Sequence, residues 1–352
     1  MGSRRTDQDD DADGGQMSTT WKKRRTNTRF GEAGLAILLL ASALLLLRRS
    51  LHGPGEATKG RSDMAAATVA RTAGKVVRGT HVSEGAGVRV CRTLGTPALR
   101  NLDPFLMLDE LRLPSKDAKA GFPWHPHRGQ ETVTIVLDGR VRHEDSLGNK
   151  GVIGPGGVQW MTAGRGIVHS EMPESTGDAP LWGFQLWVNL PKKEKMCKPR
   201  YQDVQQEGVP VIQQAGNQVR VLAGQVDGQQ GAVKTKHPIL ALDVKMDPGS
   251  TFVQPIPRGW NAFVYVCQGK GVVGGSRVSN ECAVVLEDGD QLETSTEEGM
   301  RFLLFGGLPI GEPIVQHGPF VMNTQEEIYQ AFADYQSNRL QDPNDDVWTD
   351  TE

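Results

Sequence analysis

Between about Val76 and Phe305 the chain consists of short apolar runs broken by glycine-bearing turns, among them Asp138-Gly139, Gly148-Asn149, Gly154-Pro155-Gly156-Gly157 and Gly164-Arg165-Gly166. Runs this short do not supply the repeating apolar stripe of a helix several turns long, but they suit strands. The 42 glycines and 20 prolines among 352 residues weigh the same way, because both residues break helices and serve tight turns. An all-β chain of barrels or sandwiches is expected. A repeat sharpens this. His125-Pro126-His127-Arg128-Gly129-Gln130-Glu131 aligns, 130 residues later, with Pro255-Ile256-Pro257-Arg258-Gly259-Trp260-Asn261. Val133-Thr134-Ile135-Val136-Leu137-Asp138-Gly139 then faces Phe263-Val264-Tyr265-Val266-Cys267-Gln268-Gly269. Arg, Gly and the closing Gly recur in register, so two stacked β-barrels are expected, residues 76–205 and 206–336, each of ordinary domain size.

A helix closes the second unit in this reading. Asn323 serves as its cap, Glu326 completes a capping box, and Ile328, Ala331, Phe332 and Tyr335 share one face. Residues 337–352 form an acidic tail. Residues 1–75 read as an extension outside the fold, with an acidic head from Asp7 to Asp13 and a basic cluster from Lys22 to Arg25. The uncharged run from Ala33 to Leu47 follows, closed by Arg48-Arg49. Its flanking charges suggest a transmembrane signal anchor or a cleaved targeting segment. The expected localisation is therefore membrane-anchored or organelle-targeted through residues 33–47, or nuclear and cytoplasmic if translation starts at Met64.

The formal net charge of −3 argues against direct nucleic-acid binding, which calls for a strongly basic domain. Cys91, Cys197, Cys267 and Cys282 are far apart, with no closely spaced pair. Neither a disulfide framework nor a thiolate zinc site is expected, and a reducing compartment fits.

The chemistry sits in two pairs of residues spaced two apart. On strands, His125 and His127 project from one face, and His169 and Glu171 do likewise. Two such strands facing inward in a barrel can converge on one point. Three imidazoles and a carboxylate suit a single Fe, Mn, Ni, Cu or Zn ion and leave positions open for small molecules. Unbroken alternation also turns Glu131, Val133, Ile135 and Leu137 inward, giving an apolar lining to which Trp160 adds. No histidine lies between His237 and His317, so the second barrel is expected to lack a metal.

The segments His125-Pro126-His127-Arg128-Gly129, Gln159-Trp160-Met161-Thr162-Ala163-Gly164-Arg165-Gly166 through His169-Ser170-Glu171, and Gln316-His317-Gly318-Pro319-Phe320-Val321-Met322-Asn323 resemble the pirin family of bicupins. The resemblance runs from about Val76 to Asp334 and implies two cupin-type barrels. It implies one Fe(II) per chain on His125, His127, His169 and Glu171, although other divalent metals suit the same donors. The general cupin pattern instead puts a ligand glutamate where Glu131 stands. The resemblance further implies either a quercetin 2,3-dioxygenase acting on flavonol-like enols and dioxygen, or a non-enzymatic, iron-gated transcriptional cofactor with a protein partner. In the enzyme reading, Glu171 or Glu131 accepts the proton of the flavonol hydroxyl.

Overall fold

The computed structural model describes residues 68–114, 120–174 and 180–341. Their regular structure is strand apart from short 3-10 turns, and their sole α-helix is Gln325–Gln336. The first barrel faces a seven-stranded sheet with a four-stranded one. The larger sheet runs Arg200–Val204, Val158–Thr162, Gln130–Asp138, Leu181–Asn189, Phe105–Leu113, Val88–Leu94 and Thr80–Glu84. The smaller runs Phe122–His127, Ile167–Pro173, Val141–Asp145 and Lys150–Ile153. The second barrel is a curled eleven-stranded sheet built around Asn261–Val273, Met300–Gly307 and Ile239–Met246.

Strand alternation explains how the two barrels join. In the second barrel Val264, Val266, Leu242, Phe302 and Leu304 fill the interior. Their odd-numbered neighbours Phe263, Tyr265, Leu303 and Phe305 turn outward into a core shared with the first barrel. Val133, Ile135, Leu137, Trp160, Phe184 and Leu186 meet them there. Phe105 and Phe263 close the seam edge to face, with ring centroids 5.3 Å apart.

This overturns the expected inward lining by Val133, Ile135, Leu137 and Trp160, which pack against the second barrel instead. The cause is the corner at Arg128-Gly129, where Gly129 takes φ +80°. An L side chain rarely adopts that conformation, hence the glycine. Gly259 repeats it in the second barrel at φ +76°, which accounts for the recurring Arg-Gly of the repeat. Across this corner the inward set changes parity. Gln130 stands beside His127, its Nε2 2.9 Å from His127 Nδ1, and inward residues of the following strand are even-numbered. The first barrel thus holds an apolar plug at one end only, around Val136, Val141, Ile153 and Leu181. A smaller apolar group, Met161, Ala163 and Ile167, lies apart from that plug, and polar side chains including His127, His143, His169 and Glu171 are buried as well.

The first and last described segments cross over between the barrels. Ala73–Arg78 pairs with Cys282–Leu286, and Ala70–Arg71 with Gln291–Leu292, so the first described strands complete the second barrel. Buried Arg71 donates to the carbonyls of Pro257 and Trp260 at 2.7 and 2.9 Å, bracing the Gly259 corner. The hairpin Val315–His317 and Phe320–Met322 returns in the opposite sense to the first barrel, where Phe320 bridges to Arg128. Lys195 Nζ donates to Gly129 O at 2.8 Å and Val321 O at 2.9 Å, and so ties that hairpin to the Gly129 corner.

The helix starts one residue later than expected. Thr324, not Asn323, is the N-cap, and Glu327, not Glu326, completes the capping box. Asn323 instead donates its side-chain amide to Pro313 O at 3.0 Å. Ile328 and Ala331 are buried as the apolar face requires, whereas Tyr335 stays exposed.

The expected transmembrane helix and membrane localisation are also corrected. Among the described residues no helix is long and apolar enough to cross a membrane. The run 33–47 lies outside those residues, and its fifteen residues would span about 22 Å as a helix, short of a bilayer core of roughly 30 Å. The acidic head and most of the tail likewise lie outside the described residues.

Candidate metal centre

Phe122–His127 and Ile167–Pro173 run antiparallel with His125 opposite His169 and His127 opposite Ile167. Alternation therefore delivers all three imidazoles to one point, their ligand atoms lying within 4.8 Å of one another. His125 Nε2 and His169 Nε2 are 3.0 Å apart. Two bare lone pairs repel at that distance. Two nitrogens each about 2.1 Å from one ion, at right angles, would be separated by about the same amount. His127 Nε2 is buried with no hydrogen-bond partner.

The opposite ring nitrogens are engaged. His125 Nδ1 lies 2.8 Å from Pro123 O, His127 Nδ1 2.9 Å from Gln130 Nε2, and His169 Nδ1 3.5 Å from His143 Nδ1. Outer contacts of this kind orient metal-binding imidazoles. Burial, reinforced by neighbouring histidines, holds the His127 and His169 pKa values well below the usual histidine range, leaving lone pairs free.

Glu171 follows an irregularity in the pairing with Phe122–His127, which re-aims it. Its Oε1 accepts from Thr134 Oγ1 at 2.7 Å and its Oε2 from Gln185 Nε2 at 2.7 Å. Its carboxylate shares a group of ligand atoms with His143 and His169, all within 4.8 Å, and borders one cavity with His125 and His127. Three nitrogens and a carboxylate fit a first-row divalent ion, and the unpartnered His127 Nε2 gives that fit a structural basis.

Glu131 is not brought to this point. It lies on the opposite face of its strand, fully buried, accepting from Thr162 Oγ1 at 2.7 Å. Burial pushes its carboxyl up to about 7, against the hydrogen bond from Thr162.

His143 is the residue that the sequence reading passed over. It is fully buried and stacks on Tyr201 with centroids 4.7 Å apart, its Nε2 3.5 Å from Asp145 Oδ2. Asp145 is held by the backbone N–H groups of Leu147 and Asn149, each at 3.0 Å, and by the Asn149 side chain at 2.8 Å. His143 and Asp145 have the same two-residue spacing that drew attention to His125 and His169, so the signal was present. Of the other histidines, His237 Nε2 is 2.6 Å from Leu308 O and His317 lies edge-on to Phe332, while exposed His81 faces Glu281 and shares with it and buried Cys91 a second group of ligand-type atoms within 4.8 Å. His52 lies outside the described residues. All four cysteines are free.

A cavity of about 790 Å³ opens over His125, His127 and Glu171, within the size range of small-molecule sites. Trp124, Trp187, Leu106 and Met107 contribute its apolar wall, in place of the lining expected from Val133, Ile135, Leu137 and Trp160. Trp187 stands edge-on to His127, with centroids 5.1 Å apart. Gln316 and Pro319 of the C-terminal hairpin close one side.

Residues 87–188 match the family described as Pirin, and residues 241–341 match the Pirin C-terminal cupin domain. A pirin-like protein of Solanum lycopersicum is 50% identical over 259 residues, covering 72% of this chain and 87% of its own. Pirin of Homo sapiens is 45% identical over 262 residues, covering 72% and 89%. The solved structure of quercetin 2,3-dioxygenase from Acinetobacter baumannii superposes with a TM-score of 0.72 at 33% identity, covering 77% of this chain and 98% of that one.

Proposed function

The chain belongs to the pirin family, and on that premise we propose that its first barrel is an iron-dependent dioxygenase acting on flavonol-like enols. The observation that carries the proposal is the convergence of three imidazoles, one with a buried unpartnered nitrogen, beside a cavity bordered by His125, His127 and Glu171. The 33% identical relative named quercetin 2,3-dioxygenase supports the reaction class. His125, His127, His169 and Glu171 would hold the ion. When bound, it supplies Lewis acidity toward a chelating hydroxy-ketone and reactivity toward dioxygen.

The protein's own residues do the rest. Thr134 and Gln185 each donate to one Glu171 oxygen, which fixes the carboxylate and leaves lone pairs on both oxygens. Glu171 is therefore placed to take the enolic proton and return it to the product. Trp124 and Trp187 offer flat surfaces against which planar rings can lie. In the overall reaction both dioxygen atoms enter the cleaved ester, and one ring carbon leaves as carbon monoxide with its own oxygen.

The test uses iron-loaded full-length protein given quercetin and dioxygen. Loss of flavonol absorbance should match carbon monoxide release, and both should vanish in His127→Ala. Turnover no faster than free iron at equal concentration would remove the enzyme reading and leave the chain a non-enzymatic metal-binding protein.

A further inference from the structure

The cavity over the histidines contains more charge than a neutral flavonol needs. Arg92 is fully occupied, donating to Asp109 at 2.7 and 2.6 Å and pairing with Glu84 at 2.8 Å. Glu171 is held by Thr134 and Gln185. Arg100 differs. It is exposed on the cavity wall and makes no hydrogen bond or ion pair with any described residue. Arg92 and Arg100 against Glu84, Asp109 and Glu171 leave the wall one negative charge, and a divalent ion among the histidines would reverse that sign. That positive balance is Arg100 itself, since the remaining wall charges and the ion cancel; an unpaired guanidinium there favours an anion, and its planar fork matches a carboxylate best.

Trp124 adds a second, independent feature. It borders the same cavity, yet its surface is 54% exposed, although Phe122, two residues earlier on the same strand, is only partly so. A large aromatic side chain left open at a cavity mouth gains most from a planar ring laid on it.

We propose that Arg100 and Trp124 form a substrate subsite for a planar aromatic acid, whose carboxylate meets Arg100 while its hydroxy-ketone end faces the histidines and Glu171. The inference rests on the dioxygenase reading for the orientation of the substrate, but its test does not require turnover. Two ligands are compared by calorimetry under anaerobic conditions on the iron-loaded full-length chain: 3-hydroxyflavone, and the same flavonol carrying a carboxylate on its phenyl ring. The acid should bind roughly tenfold more tightly, the scale of one hydrogen bond to a charged group. In Arg100→Gln the ratio should fall to about one, and in Arg100→Lys much of it should return. Trp124→Ala should weaken both ligands together. Equal affinity of the unmodified protein for the two ligands, or an undiminished preference in Arg100→Gln, overturns the subsite. Failure of both ligands to turn over in oxygen would instead count against the dioxygenase reading and leave the binding preference standing.

Discussion

Glu131→Gln separates the two glutamates on which any mechanism here could draw. Glu131 is fully buried beneath the seam between the barrels, with Thr162 as its hydrogen-bonding partner. Burial raises its carboxyl from 4.5 to about 7. Because the folded pKa lies above the unfolded one, the native state holds this proton more tightly, so the group's contribution to stability is greatest at low pH. It fades as pH rises from about 4.5 through 7. A shift of about 2.5 pH units, at about 1.36 kcal/mol each, sets the cost of keeping Glu131 in the fold above pH 7 at about 3 kcal/mol. A neutral glutamine does not titrate and keeps an oxygen for Thr162. Urea denaturation of metal-free protein should therefore find Glu131→Gln more stable than the unmodified chain at pH 8, by an amount on the order of 3 kcal/mol, and within about 1 kcal/mol of it at pH 5. Metal content should be unaltered. A pH-independent difference would refute the buried, proton-holding role. Loss of metal in this variant would refute the geometry itself, because it would put Glu131 among the ligands.

Three further outcomes follow from the same structure. Elemental analysis should find about one metal per chain, and His125→Ala or His169→Ala should each empty the centre; two metals per chain, or full occupancy in both variants, would contradict the assignment. Glu171→Gln should retain metal clearly less well than Glu131→Gln in a chelator-competition assay, since only Glu171 shares a cavity with the histidines. His143→Ala should lower metal affinity about ten- to a hundredfold by releasing His169 Nδ1, the usual effect of removing an outer contact, with circular dichroism checking that the fold survives. An affinity equal to that of the unmodified protein would mean that the 3.5 Å contact orients nothing.

Local patterns determined a good deal. Short apolar runs between glycine turns are enough to specify strands, because the turn positions need backbone conformations that glycine reaches cheaply. The Arg-Gly repeat was readable for that reason, and Gly129 and Gly259 share one conformation 130 residues apart. The convergence of His125, His127 and His169 was readable because strand alternation needs only a spacing of two, whereas Glu171 follows an irregularity in the pairing that alternation does not foresee. What remained hidden depended on where one strand stops and another begins. The corner at Gly129 changes the inward parity, so Glu131, Val133 and Ile135 face the second barrel while Thr134 faces Glu171. Alternation cannot be carried across a corner whose angle is set by packing, here by Lys195 and the C-terminal hairpin. Pairing partners are equally non-local. Nothing near Ala73 in the sequence says that it will pair with Leu286, or that His143 will stand beside His169. Those contacts bring together residues far apart in the chain, and only the closed barrels decide them.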